Sequence, residues 1–192
     1  AYMQTPIFKE YDVDEKTFWR EVNMLPQIYA ERGIRVSPET VYLNHLLTFV
    51  KAGYMQGLSN AKLKRLGGKL QFCPGIPSLF TSLRDTVKKI AKSRNADIAL
   101  EHYIVRTGLA EMIRGSKIAQ YVDGIFGCEF LEEPMPPYFS KQPEFKFDAA
   151  STQINQIGMI VDNTIKTRFI FEINKGTNKN PAICLLYTSP SP

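Results

Sequence analysis

The chain has 192 residues, 44% of them hydrophobic and 22% charged, with a net charge of +5. That is the make-up of a globular protein, too apolar for a disordered one, and no apolar run approaches the ~20 residues that a membrane span needs. The excess lysines and arginines are scattered, as in Lys62, Lys64 and Arg65 or in Lys88, Lys89, Lys92 and Arg94; they suit solvated helix faces rather than the contiguous stripe that nucleic acid requires, so neither a nucleic-acid nor a membrane partner is expected.

Residues 1–13, with Pro6 and the short run Ile7-Phe8, read as a loop entering helices. Asp14 is an N-cap candidate, and Phe18, Val22, Leu25 and Tyr29 then share one helical face beside Trp19. Pro26 is expected to kink or interrupt this helix, and Gly33 to close it. Ser37-Pro38 pairs a cap with a first-turn proline, and Leu43, Leu47, Val50 and Tyr54 follow as a buried stripe. Ser59 caps a third helix with Leu63 and Leu66 inward, ended by Gly67-Gly68. Residues 1–69 therefore read as an all-helical unit.

The character changes at Leu70-Gln71-Phe72, a short extended piece before Cys73-Pro74-Gly75-Ile76-Pro77. Leu79, Phe80, Leu83, Val87, Ile90 and Ala91 form a long apolar helical stripe, stopped at Asn95. Leu100, Tyr103, Ile104 and Val105 read as a strand, Thr107-Gly108 as a break, and Leu109, Met112 and Ile113 as a helix. A strand that ends in a hydroxyl and a glycine before a helix suits an anion: the helix start offers free N–H groups, the glycine permits close approach, and the hydroxyl adds a donor. The same turn also occurs as plain α/β wiring. Ile125, Phe126, Cys128 and Phe130 make a second strand, and strand–helix–strand spacing predicts a parallel pair. Pro134, Pro136, Pro137 and Pro143 mark residues 132–148 as an exposed loop. A strand is expected near Gln156–Val161, then a helix starting at Asp162-Asn163-Thr164 with Ile165, Phe169, Ile170 and Ile173 on one face, ended by Gly176.

Three stretches together resemble the haloacid dehalogenase-like hydrolases, close to their phosphoserine phosphatase-like branch. Phe72-Cys73-Pro74-Gly75-Ile76 is similar to the entry to the helix before the family's second motif. Tyr103-Ile104-Val105-Arg106-Thr107-Gly108-Leu109, with Met112 to Ala119 after it, resembles that motif itself, a strand ending in Ser or Thr. Asp162-Asn163-Thr164-Ile165-Lys166-Thr167 resembles the third motif, where a lysine opens a helix. The resemblance implies an α/β fold, a Rossmann-like three-layer core with a parallel sheet over residues 70–183, and an all-helical cap over residues 1–69. It implies a Mg²⁺-dependent phosphatase that acts on a small phosphorylated metabolite through an aspartyl-phosphate. The catalytic, phosphate-gripping residues it points to are Thr107 and Lys166, with Arg106 and Gly108 beside them. Either Arg106 or Thr107 fits the motif-two position, and Lys175 is a weaker rival to Lys166.

The family's Asp-x-Asp nucleophile motif and its acidic metal-binding motif are absent, and both are expected outside these 192 residues. Asp12 and Asp14 have the right spacing but precede a helix, so capping explains them. The chain alone is therefore expected to be inactive. The other reading is a non-catalytic ligand-binding or interaction module on the same scaffold. His45, His102 and Cys128 read as packing residues. Cys73, Cys128 and Cys184 form no metal-ligand spacing and no even disulfide set, and no basic-then-apolar leader is present, which points to a cytoplasmic setting. Residues 184–192 match a translation of sequencing-adapter DNA, and are read as read-through rather than fold. Oligomeric state and substrate identity leave no mark.

Overall fold

The computed structural model describes residues 3–133, 135, 137–141 and 153–176. Among them are seven α-helices and one three-stranded sheet in a mixed α/β arrangement. The front half is helical: α1 (Thr5–Glu10), α2 (Glu15–Ala30), α3 (Pro38–Lys51) and α4 (Asn60–Gly67). The three predicted caps form. Asp14 accepts from the amides of Lys16 and Thr17, Ser37 from that of Thr40, and Ser59 from that of Lys62. Each satisfies donors that the first helical turn leaves free.

Three local expectations fail here. Residues 5–10 are a helix rather than a loop, because Pro6 tolerates the first turn and Ile7 and Phe8 are buried. Helix α2 is not interrupted at Pro26: one missing N–H removes one bond, while Phe18 and Val22 anchor the turns before it. Tyr54 lies past the end of α3 and is exposed, and Met55 takes the buried place instead.

Helix α5 (Ser78–Ser93) follows a stretch of irregular backbone, so Leu70–Phe72 is not a strand. Strand β1 (Tyr103–Leu109) leads directly into the five-residue helix α6 (Ala110–Arg114). Strand β2 (Gly124–Leu131) pairs parallel to β1, and β3 (Gln156–Met159) pairs antiparallel to β2. Helix α7 (Asn163–Gly176) lies against β1, and its Phe169 ring packs at a tilt against Phe126 of β2 with ring centroids 4.7 Å apart.

One hydrophobic core crosses residue 69. It joins Phe8, Phe18, Leu43 and Leu46 of the front helices to Leu109, Met112, Cys128, Phe130 and Phe169 of the α/β part. The closest junction is between α4 and α6. A methyl group at Gly67 would overlap the Met112 carbonyl, and one at Gly115 would overlap the Lys64 carbonyl. These glycines let two backbones touch. The Pro134, Pro136 and Pro143 positions, and the adapter-like tail at 184–192 with Cys184, lie outside the described residues.

Candidate functional site

The ladder between β1 and β2 is regular from Tyr103↔Gly124 to Val105↔Phe126 and resumes at Leu109↔Cys128. Three residues of β1, Arg106, Thr107 and Gly108, therefore stand opposite one residue of β2. This is a bulge at the carboxyl end of a parallel strand. Bulges re-aim side chains, and the carboxyl ends of parallel strands are where open α/β sheets bind ligands. The candidate residues fall in the one irregular stretch of this strand.

The bulge is pinned from behind. The buried Tyr42 hydroxyl donates to the Thr107 carbonyl at 2.9 Å, and the Cys128 thiol approaches the same carbonyl at 3.2 Å. The Val161 amide in turn donates to Cys128 Sγ at 3.3 Å. Burial pushes the Tyr42 hydroxyl well above its ordinary pKa and raises that of the Cys128 thiol, so both stay protonated at neutral pH. This small network carries the start of α7 to the bulge, since Val161 directly precedes Asp162. The Thr107 stretch of β1 and the start of α7 thus meet at one end of the sheet, with Cys128 between them. In the sequence Cys128 reads as a small packing residue. No local signal marks a partnership between residues 65 positions apart.

The separate residues stand as follows. Arg106 is exposed and makes no ion pair or hydrogen bond among the described residues. The Thr107 side chain is half-buried and is likewise free of hydrogen bonds there. Gly108 is buried, and the space a ligand would use to approach it is filled by the Met3 side chain. The helix after the bulge begins only at Ala110 and lasts five residues, so Thr107 and Gly108 belong to the strand rather than to a turn at the helix start. Lys166 lies in the first turn of α7, with its ammonium 2.9 Å from Asn163 Oδ1. Asp162 caps that helix, its carboxylate accepting from the Ile165 amide at 2.7 Å. The carboxylate offsets the cost of a cation at the positive end of a helix. The side chain of Lys175 lies outside the described residues. Asp14 is occupied as a cap, and His45 is held 2.8 Å from Glu21 among the rings of Phe18 and Phe49.

A cavity of about 650 Å³ opens on the other side of Arg106, between α1, the α4–α5 connection and β1. Leu70, Phe72, Ile76, Phe80, Ile104 and Ile113 supply apolar wall, while Lys9, Lys69 and Arg106 bring positive charge and Glu10 the one carboxylate. Neither Thr107 nor Lys166 lines it. No group of three or more His, Cys, Asp or Glu side chains gathers among the described residues in a way that would hold a metal. No helix among them is long and apolar enough to cross a membrane.

Among known proteins, the chain is 40% identical over 176 residues to an uncharacterized protein of Borreliella burgdorferi (strain ATCC 35210 / DSM 4680 / CIP 102532 / B31), a match that covers 91% of this chain and 60% of the relative. The chain thus spans about three fifths of that relative's length. No family model and no solved structure matches the sequence.

Proposed function

We propose that this chain is the phosphate-gripping part of a cytoplasmic haloacid dehalogenase-like phosphatase acting on a small phosphorylated metabolite. The observation that carries the proposal is the bulge: Arg106, Thr107 and Gly108 leave the ladder at the carboxyl end of β1, and the Thr107–Cys128–Val161 link sets the start of α7 beside them. In this reading the three strands belong to a larger three-layer, Rossmann-like sheet, and residues 1–69 form the helical cap.

The chemistry asked of these residues is electrostatic. A phosphomonoester carries nearly two negative charges at neutral pH, and a carboxylate nucleophile is repelled unless cations and donors take up that charge. The Thr107 hydroxyl supplies a donor, and Lys166 or Arg106 a cation. The nucleophilic aspartate and the carboxylates for Mg²⁺ are left to sequence outside these 192 residues, and Mg²⁺ when bound would supply further charge neutralisation.

The relative from Borreliella burgdorferi, which is longer, provides the test. The whole relative is expected to hydrolyse p-nitrophenyl phosphate when Mg²⁺ is added, and the present chain is expected not to. Hydrolysis by this chain alone, or none by the relative over a panel of phosphomonoesters, overturns the proposal. A second reading, a ligand-binding module without catalysis, is favoured by the cavity beside Arg106, whose apolar wall and positive charge are both supplied by described residues.

A further inference from the structure

We propose that the cavity between α1, the α4–α5 connection and β1 binds an organic oxyanion with a ring-sized apolar body, the anionic head on Arg106 and Lys9 and the body against Phe72, Ile76 and Phe80. The proposal shares only Arg106 with the phosphatase reading. It requires neither a nucleophile nor Lys166.

Three observations carry it. The first is the charge on the wall. Arg65 is 2.9 Å from Glu10 Oε1, and Arg84 and Arg114 are paired with Asp123 and with Glu111 and Glu129. Arg106 has no such partner among the described residues, and neither has Lys9. The cavity's single carboxylate, Glu10, is already held by Lys69 at 2.9 Å and by Arg65, with Lys62 at 3.8 Å. Glu10 is therefore not available to neutralise Arg106, and the cavity keeps an excess of positive charge. A guanidinium presents a planar fork that fits carboxylate and phosphate alike.

The second observation is what surrounds that charge. The rest of the wall is mostly apolar, and the one buried polar side chain on it, Ser116, spends its hydroxyl on the Ile113 carbonyl at 2.7 Å. A bare inorganic anion would leave this apolar surface in contact with water. An anion that carries an apolar body covers it. The third observation is size and rigidity. About 650 Å³ lies inside the ~300–1,000 Å³ range of small-molecule sites. The Phe80 ring is held edge-on by His102 at 5.0 Å and stacked with Tyr121 at 6.4 Å, so that side of the wall is formed before any ligand arrives.

The experiment titrates the chain with 1-naphthyl phosphate, 1-naphthoate, 1-naphthol and inorganic phosphate, followed by calorimetry or amide shifts. Both naphthyl anions are expected to bind at least about tenfold more tightly than naphthol or phosphate, as a charge-assisted pair implies. The ratio between the two anions tells whether the head group is tetrahedral or planar. Arg106→Gln, a change at an exposed position, is expected to bring both anions to the affinity of naphthol while leaving naphthol itself unchanged. Lys9→Ala is expected to weaken both by a few-fold. Ile104→Trp, which fills the cavity, is expected to abolish all binding; should that variant not fold, Phe80→Ala, which removes apolar wall, is expected to weaken naphthol and both anions alike. Naphthol binding as tightly as the anions, or anion affinity indifferent to Arg106→Gln, overturns the proposal. Hydrolysis plays no part in these readouts, so they fail or succeed separately from the phosphatase test.

Discussion

Helices α3 and α5 carry apolar stripes of similar helical period, and the two meet different fates. On α3, Val41, Leu43, Leu46, Leu47 and Val50 are all buried, against α2 and across towards β3. On α5, Leu79, Leu83 and Ile90 remain 49%, 42% and 49% exposed, and only Ala91 is buried. A stripe written in the sequence states which face of a helix favours cover. It does not state that the cover lies within the same stretch of chain. The hydrophobic term follows the area removed from water, so the same leucine stabilises one helix and contributes little to the other.

Substitutions sharpen that contrast. The largest effect belongs to the packed side: Leu43→Ala is expected to cost about 2–5 kcal/mol in urea unfolding, because the fully buried side chain leaves a cavity. The matching change on α5, Leu83→Ala, is expected to stay within about 0.5 kcal/mol. Similar losses at both positions would show that α5 is covered after all. Next comes the α4–α6 junction. Gly67→Ala sets a methyl against the Met112 carbonyl, a backbone atom that cannot swing aside, and is expected to cost about 1–3 kcal/mol by the same measurement. An unchanged unfolding midpoint would mean that the two helices do not touch there.

Smaller again is the pin on the bulge. Tyr42→Phe keeps the ring and removes the donor to the Thr107 carbonyl, so a loss of about 1 kcal/mol is expected, with faster hydrogen exchange confined to the β1–α6 turn. The smallest effect concerns Glu10. Lys69 chiefly, and then Arg65 and Lys62, hold its carboxyl below the usual carboxylate range. A pKa lowered on folding gives stability that is present above the ordinary value of about 4.3 and is lost as pH falls through the folded value. Unfolding midpoints of the natural chain and of Glu10→Gln, small in difference at neutral pH, are therefore expected to converge on acidification. A difference that grows as pH falls contradicts the assignment.

What could be read ahead of the structure was local. Asp14, Ser37 and Ser59 declare their helices through the chemistry of a single turn, and all three cap as expected. The β1–β2 pair was legible from spacing, and so was the α7 start at Asp162. The features that shape the site depend on residues far apart in sequence. Gly67 reads as a helix terminator until α6 comes to lie on it. Thr107-Gly108 reads as a turn before a helix, whereas pairing with β2 keeps both residues in the strand as a bulge. Met3 closes the approach to Gly108, and no pattern near position 108 announces it. Nothing in the sequence around Arg106 shows that this residue opens on the cavity.

The central claim is that Thr107 and Lys166 serve one anion at the end of the sheet, and a phosphate titration followed by the amide resonances of Thr107, Gly108 and Lys166 tests it most directly. The account predicts that all three move with a single dissociation constant, and that Lys166→Ala removes the response at Thr107. A Thr107 response that survives Lys166→Ala, or a Lys166 that ignores phosphate altogether, would contradict it.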